Sequence, residues 1–221
     1  MDKVLYDLMD WAGIEEIVYS GPHLTEEGLV IQVFIPRAEA VTVKLATGGK
    51  KYPMEQQDEA GYFAVRIPRK IMAKYTLLIT WDTGAEEEIH DPYAFGSQYT
   101  EEEKKKFSAG TYYDVYEKMG AHPMVIDGVS GVFFSVWAPC AMRVSVVGDF
   151  NFWDGRRHQM KKRGPSGIYE IFIPGLKPGT IYKYEIKTKA GLPMLKADPY
   201  GNYAELRPNT ASVVWDMSGY K

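Results

Sequence analysis

An internal repeat is the feature of this sequence that most constrains its fold. Three segments of the first half return in the second half, in the same order and at nearly the same displacement. The matched segments are 33–36 with 136–139 (139 − 36 = 103), 61–68 with 167–174 (174 − 68 = 106) and 91–93 with 198–200 (198 − 91 = 107). Because self-similarity at a fixed period marks a repeated structural unit, the sequence predicts two copies of one domain in tandem.

Short alternating strands make up both copies. Each candidate strand is bounded by Gly, Pro or charged turn residues, and Ile181–Lys187 shows the clearest alternation of apolar and polar side chains. The predicted strands are Leu29–Pro36, Ala40–Leu45, Tyr62–Pro68, Tyr75–Trp81, Glu87–His90, Gly131–Ala138, Arg143–Gly148, Ile168–Pro174, Ile181–Lys187, Met194–Ala197 and Ser212–Trp215. This pattern predicts an all-β fold of two tandem β-sandwiches.

Short helices are predicted before and between the two sets of strands. Apolar residues form one stripe over Asp2–Trp11, and Thr100–Phe107 opens with a capping box. A helical turn is predicted at Tyr113–Met119, where a glycine follows. We therefore expect an N-terminal β-sandwich module over residues 1–107 and a second module over residues 108–221.

Composition and charge exclude several functional classes. The 221 residues carry a net charge of −3 without a basic block, which argues against a nucleic-acid or anionic-membrane partner. The single cysteine, Cys140, permits no intrachain disulfide and agrees with a reducing compartment. No apolar run reaches the roughly 20 residues of a membrane span, and the N-terminus lacks a secretory pattern. We expect a soluble cytoplasmic protein.

Local catalytic and metal-binding motifs are missing from the sequence. It has no Gly-x-Ser-x-Gly elbow, phosphate-binding loop or His-Glu-x-x-His, and its four histidines are scattered. We therefore expect no metal and no cofactor. Glycosidase carboxylates come from distant segments, which leaves Asp91 and Asp198 open as a catalytic pair. Both precede Pro-Tyr at equivalent repeat positions, and this favours a structural turn cap for each.

The stretch Val146–His158 holds the strongest candidate for a binding site. An apolar strand ends at Gly148, and the next ten residues include two Phe, a Trp, an Asn and two Arg without helix or strand periodicity. Aromatic rings beside hydrogen-bonding side chains suit a flat polar ligand with an apolar face, such as a sugar ring. The same rings also suit a plug in the protein core, and spacing alone does not separate the two roles.

The repeat favours a binding role for this loop. The offset grows by 106 − 103 = 3 residues across it, and the first copy has Leu45–Lys51 there with no aromatic ring before Tyr52. Only the second copy is therefore expected to bind a ligand. Lys183, on the polar face of its strand, and Asn209, in the turn before the last strand, are further candidates, although each is also explained as an ordinary solvated residue.

Several motifs of the second half resemble those of one enzyme family. They are Gly-Ala-His-Pro at Gly120–Pro123, Asp-Gly-Val-Ser-Gly-Val at Asp127–Val132, Phe-Ser-Val-Trp-Ala-Pro at Phe134–Pro139, and the whole stretch Arg143–His158. Together they resemble the N-terminal region of bacterial 1,4-α-glucan (glycogen) branching enzymes, over nearly all of residues 90–221. The resemblance implies two immunoglobulin-like modules, the second a family-48 carbohydrate-binding module, ahead of a catalytic (β/α)8 barrel.

The resemblance also implies a place in glycogen biosynthesis. In the full glycosyltransferase, an α-1,4 linkage is cleaved and the freed chain is transferred to a 6-hydroxyl through a covalent glycosyl-enzyme, without a cofactor. No residue of this chain is expected to perform that chemistry. The chain is expected to be the non-catalytic N-terminal region, which binds or orients α-1,4-glucan (glycogen or maltooligosaccharides) and packs on its own catalytic barrel.

Related glycogen-binding modules imply which residues contact the sugar. They stack glucose on two tryptophans with the help of a lysine. Trp153 matches the first tryptophan and Lys183 the lysine, whereas Leu195 takes the place of the second tryptophan, which predicts a weaker grip on glucan. The candidate glucan-binding residues are Trp153, Lys183, Asn151 and Asn209.

Two alternatives remain open at the level of sequence. The aromatic loop of a structural or interaction module would bury against the barrel or a partner subunit, without sugar binding of its own. The same modules also occur at the front of other α-amylase-type enzymes, such as isoamylases and trehalose-forming hydrolases.

Overall fold

Two compact units make up the chain, Met1–Ala94 and Phe95–Lys221. The structure is a computed structural model, and it describes residues 20–188 and 191–219. The helix predicted over Asp2–Trp11 lies outside the described residues. Within the described part of the chain, no helix combines the length and the apolar character needed to cross a bilayer.

The first unit contains two four-stranded antiparallel sheets. Its strands are β1 (Gly21–Thr25), β2 (Gly28–Phe34), β3 (Ala38–Leu45), β4 (Lys51–Pro53), β5 (Glu55–Gln56), β6 (Tyr62–Ile67), β7 (Tyr75–Trp81) and β8 (Glu86–Ile89). One sheet has the order β1-β2-β6-β5 and the other has the order β4-β3-β7-β8. Alternate residues of both sheets, among them Ile31, Val43, Phe63 and Leu77, form one buried cluster. Two sheets around a shared apolar core form the predicted β-sandwich.

The second unit is also built from two antiparallel sheets. Its strands are β9 (Gly120–Ile126), β10 (Val129–Trp137), β11 (Ala141–Val147), β12 (Lys161–Lys162), β13 (Ile168–Pro174), β14 (Ile181–Thr188), β15 (Pro193–Lys196), β16 (Tyr203–Ala204) and β17 (Ser212–Val213). The sheet orders are β12-β13-β10-β9 and β11-β14-β17-β16, and β15 also pairs with β14. Phe134 and Tyr182 meet between the two sheets, with ring centroids 5.0 Å apart.

The linker helix and the turn after it form close to their predicted positions. Helix α1 spans Glu101–Ser108, and Thr100 caps it by accepting a hydrogen bond from the backbone N–H of Glu103 at 3.2 Å. The Glu103 carboxylate accepts in return from the backbone N–H of Thr100, which completes the predicted capping box. The turn takes the form of a 3-10 helix at Val115–Glu117.

The segment that carries α1 packs on the second unit. Phe95 contacts Phe172 of β13 with ring centroids 4.7 Å apart, and the Tyr99 hydroxyl lies 2.8 Å from the Ser135 hydroxyl of β10. The second unit therefore begins at Phe95, earlier than the start predicted at residue 108. The physical reason is that these aromatic contacts bury the outward face of the β12-β13-β10-β9 sheet.

An Asp-Tyr pair recurs in both units. The Tyr75 hydroxyl donates to Asp91 at 2.5 Å, and the Tyr182 hydroxyl donates to Asp198 at 2.6 Å. The second oxygen of each carboxylate accepts the backbone N–H two residues further on. Both carboxylates are buried. These contacts explain why Asp-Pro-Tyr is repeated, and they give Asp91 and Asp198 a structural role.

Candidate functional site

The aromatic loop, residues 149–158, leaves the end of β11 through a tightly packed corner. Gly148 has an extended backbone, with φ at −178°. A Cβ atom at this position would lie 2.4 Å from the Ile181 carbonyl oxygen and 2.6 Å from the Phe150 ring. The corner therefore requires glycine for close approach of two chain segments. A 3-10 turn over Asp149–Asn151 follows.

Asn151 holds this loop in shape from the inside. Its side chain is 0% exposed. The Oδ1 atom accepts from the backbone N–H of Gly148 at 3.0 Å, and Nδ2 donates to the Val146 carbonyl at 2.8 Å and to His158 Nδ1 at 2.9 Å. Asn151 is expected from the sequence to contact glucan, but in the structure both ends of its buried amide bond the loop itself. Asn151 positions the loop instead.

His158 fixes the far end of the aromatic loop. Its ring packs against Phe150 with centroids 5.5 Å apart, and its Nδ1 accepts the hydrogen bond from Asn151. Burial, followed by the nearby positive charge of Arg157, lowers the pKa of His158 to about 3. The imidazole is therefore neutral near pH 7, as its role as an acceptor requires.

The sheet that carries β11 and β14 has one buried face and one outer face. Tyr182 and Tyr184 point into the core and are fully buried. Since side chains alternate along a strand, Lys183 and Glu185 lie on the opposite side, which we call the outer face. Both are partly exposed, as the alternation of Ile181–Lys187 predicts.

The second half of the aromatic loop folds over this outer face. The Ser145 hydroxyl donates to the Gly155 carbonyl at 2.6 Å, and Gly155 lies so close to Glu185 that a Cβ atom would meet its carboxylate. Beyond Gly155 the chain runs antiparallel to β11, where the backbone N–H of Val146 donates to the His158 carbonyl at 3.0 Å. The loop is therefore held against the sheet along its second half.

Two consecutive aromatic residues in the loop have a left-handed backbone. The φ angles are 59° at Phe152 and 57° at Trp153. Indole Nε1 of Trp153 donates to Asp149 at 2.8 Å and the residue is 36% exposed, whereas Phe152 is 78% exposed. The Arg157 guanidinium lies 5.8 Å from the centre of the Phe152 ring. This conformation costs a non-glycine residue roughly 1–2 kcal/mol, and such strain concentrates at functional sites.

Lys183 lies beside the base of the aromatic loop. The strand register pairs it with Val147, the last residue of β11. Its Nζ donates to the Thr210 hydroxyl at 2.8 Å. The structure thus places the predicted lysine on the strand next to the one that leads to Trp153. Thr210 was not predicted, because a hydroxyl in a turn has no distinctive sequence pattern.

The last candidate, Asn209, and Leu195, which stands in place of the second tryptophan, lie at the margins of the same region. Leu195 pairs with Glu185 across β15 and β14, which puts it on the outer face, half-exposed. Asn209 is exposed and adjoins Thr210 in sequence, but its Nδ2 donates to the Glu205 carboxylate at 3.1 Å. The region therefore offers the indole of Trp153, the ammonium of Lys183 and several hydrogen-bonding groups to a ligand.

Metal ligands and carboxylates with a shifted pKa were sought among the described residues. No group of three His, Cys, Asp or Glu side chains within residues 20–188 and 191–219 is placed to hold a metal ion. Burial raises the pKa of Asp198 against the hydrogen bonds from Tyr182 and the backbone of Tyr200. That carboxylate is part of the core and lies away from the outer face.

Two family models match the chain, one in each unit. Residues 19–93 match the alpha-1,4-glucan branching enzyme GlgB, N-terminal domain. Residues 118–201 match carbohydrate-binding module 48, also described as the isoamylase N-terminal domain. The second match includes Trp153 and Lys183 and ends before Asn209.

Curated relatives agree with both family models. The 1,4-alpha-glucan branching enzyme GlgB of Rubrobacter xylanophilus is 45% identical over 204 residues, which cover 92% of this chain and 28% of that protein. GlgB of Thermosynechococcus vestitus is 47% identical over 192 residues, with 86% and 25% covered. The chain corresponds to the amino-terminal region of GlgB branching enzymes. It spans about a quarter of the length of these two GlgB relatives.

The correspondence to GlgB confirms the family expected from the motifs of the second unit. The first unit, which lies mostly outside the motifs that carry the resemblance, has its own GlgB match. A solved pullulanase from Anoxybacillus sp. LM18-11, complexed with maltotetraose, shares 16% identity over 89% of this chain and 26% of that chain, with a TM-score of 0.38.

Proposed function

We propose that the outer face of the second unit binds α-1,4-glucan through Trp153 and Lys183. The observation that supports the proposal is that Lys183 pairs with Val147, the residue just before the corner that leads into the loop of Trp153, within residues matched by a carbohydrate-binding module. The strained loop presents the indole, and Lys183 with Thr210 supplies donors for sugar hydroxyls. An apolar ring with a few placed polar groups is the usual composition of a sugar site.

In a longer protein of this family, the bound glucan would be oriented for a catalytic barrel that packs on these modules. None of the residues described above performs the branching chemistry in this proposal. The proposed location of the protein is the reducing cytoplasm, in agreement with the exposed free thiol of Cys140. Glycogen or maltooligosaccharides are the proposed ligands.

A test of the proposal is a titration of the whole chain with maltoheptaose. We expect tryptophan fluorescence to change on binding, with calorimetry giving the affinity. Trp153→Ala should weaken binding at least tenfold, which is about 1.4 kcal/mol, because the stacking surface is lost. Tyr113→Ala is the matched control, since it also removes an exposed aromatic ring of the second unit but not one on the loop.

Two results would contradict glucan binding at this site. One is a wild-type chain without measurable affinity for maltoheptaose. The other is an affinity that Trp153→Ala and Tyr113→Ala leave equally unchanged.

Phe152 favours a second candidate function. A phenylalanine that is 78% exposed beside an arginine is typical of a residue that anchors one protein on another. In that case the loop would dock the second unit on the barrel or on a partner subunit. A chain that binds no glucan would support this function over the first.

A further inference from the structure

A second aromatic feature of the second unit lies outside the residues matched by the carbohydrate-binding model. Tyr203 and Trp215 stack with ring centroids 4.8 Å apart and an angle of 28° between their planes. Both remain about half-exposed, at 48% and 47%. Stacking covers one face of each ring with the other ring, and the remaining faces and edges supply the exposed apolar surface.

The strand register places this pair on the outer face. Val213 pairs with Ile181 on one side and with Tyr203 on the other, so the three residues form one row across the sheet. The neighbouring row contains Tyr182 and Ser212, which point into the core. Tyr203 must therefore point outward, on the same side of the sheet as Lys183.

Trp215 continues the outward side of the same strand. It is two residues beyond Val213, and the backbone N–H of Val214 still donates to the Thr180 carbonyl at 2.9 Å, so the pairing extends past β17. Residues two apart in a strand share a face, and a diagonal neighbour is within reach of an aromatic ring. The stack of Trp215 on Tyr203 agrees with this geometry.

Lys183 lies between the two aromatic features. In the order β11-β14-β17-β16, the aromatic loop follows β11, Lys183 is on β14, and the Tyr203–Trp215 pair is on β16 and the end of β17. Strands β11 and β16 are three inter-strand spacings apart, which is about 14 Å. That length suits an oligosaccharide of several units and exceeds a single sugar ring.

We propose that the Tyr203–Trp215 pair is a second sugar-stacking subsite, so that the outer face holds an extended stretch of α-glucan running from Trp153 across Lys183. This inference rests on the proposed glucan binding at Trp153 and adds the length of glucan that the outer face holds. The pair supplies an aromatic surface that Leu195 does not offer on the same face. A ligand that contacts both ends must be several glucose units long.

Chain-length dependence tests the second subsite. Wild-type chain is titrated with maltotriose and maltoheptaose. We expect the longer sugar to bind at least tenfold more tightly. That exceeds the few-fold gain that arises because a longer chain can occupy a single subsite in several positions. The double variant Tyr203→Ser/Trp215→Leu should lose that gain while keeping the wild-type affinity for maltotriose. Tyr113→Ala should keep both affinities.

A measurement on the unmodified protein covers the case in which the double variant does not fold. The indole N–H resonance of Trp215 should shift on addition of maltoheptaose and stay in place with maltotriose. The proposed second subsite is wrong if the folded double variant binds maltoheptaose like wild type, or if the Trp215 resonance does not shift with maltoheptaose. Either result leaves the proposed binding at Trp153 intact. If wild type binds neither sugar, the proposed function fails and the subsite fails with it.

Discussion

At the scale of single residues, the aromatic loop depends on the buried Asn151 and the partly buried His158. Asn151 bonds three groups at the ends of the loop, and His158 accepts one of these bonds. The exposed residues Phe152 and Trp153 are presented by this inner pair. The shape of the exposed part of the loop therefore rests on side chains beneath it.

His158 gives the second unit a defined response to acid. Folding holds the pKa of His158 at about 3, while an unfolded histidine takes up a proton near pH 6.5. The unfolded chain therefore binds more protons below pH 6.5, and stability falls as pH drops towards 3. Between pH 7 and pH 5 the loss should be about 2 kcal/mol from this residue.

Urea denaturation of wild type and His158→Asn at pH 7 and pH 5 measures this response. Asparagine keeps an acceptor near the position of Nδ1 but does not titrate. The stability of His158→Asn should therefore change less between pH 7 and pH 5 than that of wild type. His90→Asn replaces an exposed histidine of the first unit and serves as the control. Equal pH dependence in wild type and His158→Asn would show that His158 does not contribute.

The residues of the site were only partly predictable from the sequence. Trp153 and Lys183 could be selected because a loop rich in aromatic residues and a cleanly alternating strand are visible as patterns. The burial of Asn151 could not be predicted, because it depends on carbonyl and amide groups that meet only when the loop closes. Thr210 and the Tyr203–Trp215 pair likewise depend on strand register.

At the scale of elements, long strands with clear alternation were predicted well. Tyr75–Trp81 and Ile168–Pro174 have the predicted bounds. Strand β9, Gly120–Ile126, was missed because it contains His122 and Pro123 and follows a predicted helix end. Two-residue strands such as β16 carry too few side chains for a pattern, and only their partners define them.

The aromatic loop is also an element under backbone strain, which can be measured. Phe152→Gly should be more stable than Phe152→Ala by about 1 kcal/mol, because glycine adopts a positive φ without steric cost. Both variants remove the same exposed ring, so the comparison isolates the backbone. Urea denaturation of the pair measures the difference. Equal stability, or a more stable alanine variant, would mean that the left-handed backbone at this position carries no strain.

At the scale of the whole molecule, the tandem repeat was the most informative part of the sequence. It predicted two sandwiches, and each unit has two antiparallel sheets and a buried Asp-Tyr pair. The second unit begins at Phe95 and not at the expected residue 108 because the partly buried Phe95 and the buried Tyr99 make contacts that local sequence does not encode. Correspondence to GlgB then supplied the class of ligand to propose.

We propose that one face of the second unit, and no part of the first, binds α-glucan. Indole N–H resonances of the five tryptophans in the whole chain test it directly during a maltoheptaose titration. Trp153 should show a saturable shift, while Trp81 in the first unit and Trp137 on the other sheet of the second unit should not. A stationary Trp153 resonance at saturating sugar, or a shift confined to Trp81, would contradict the claim.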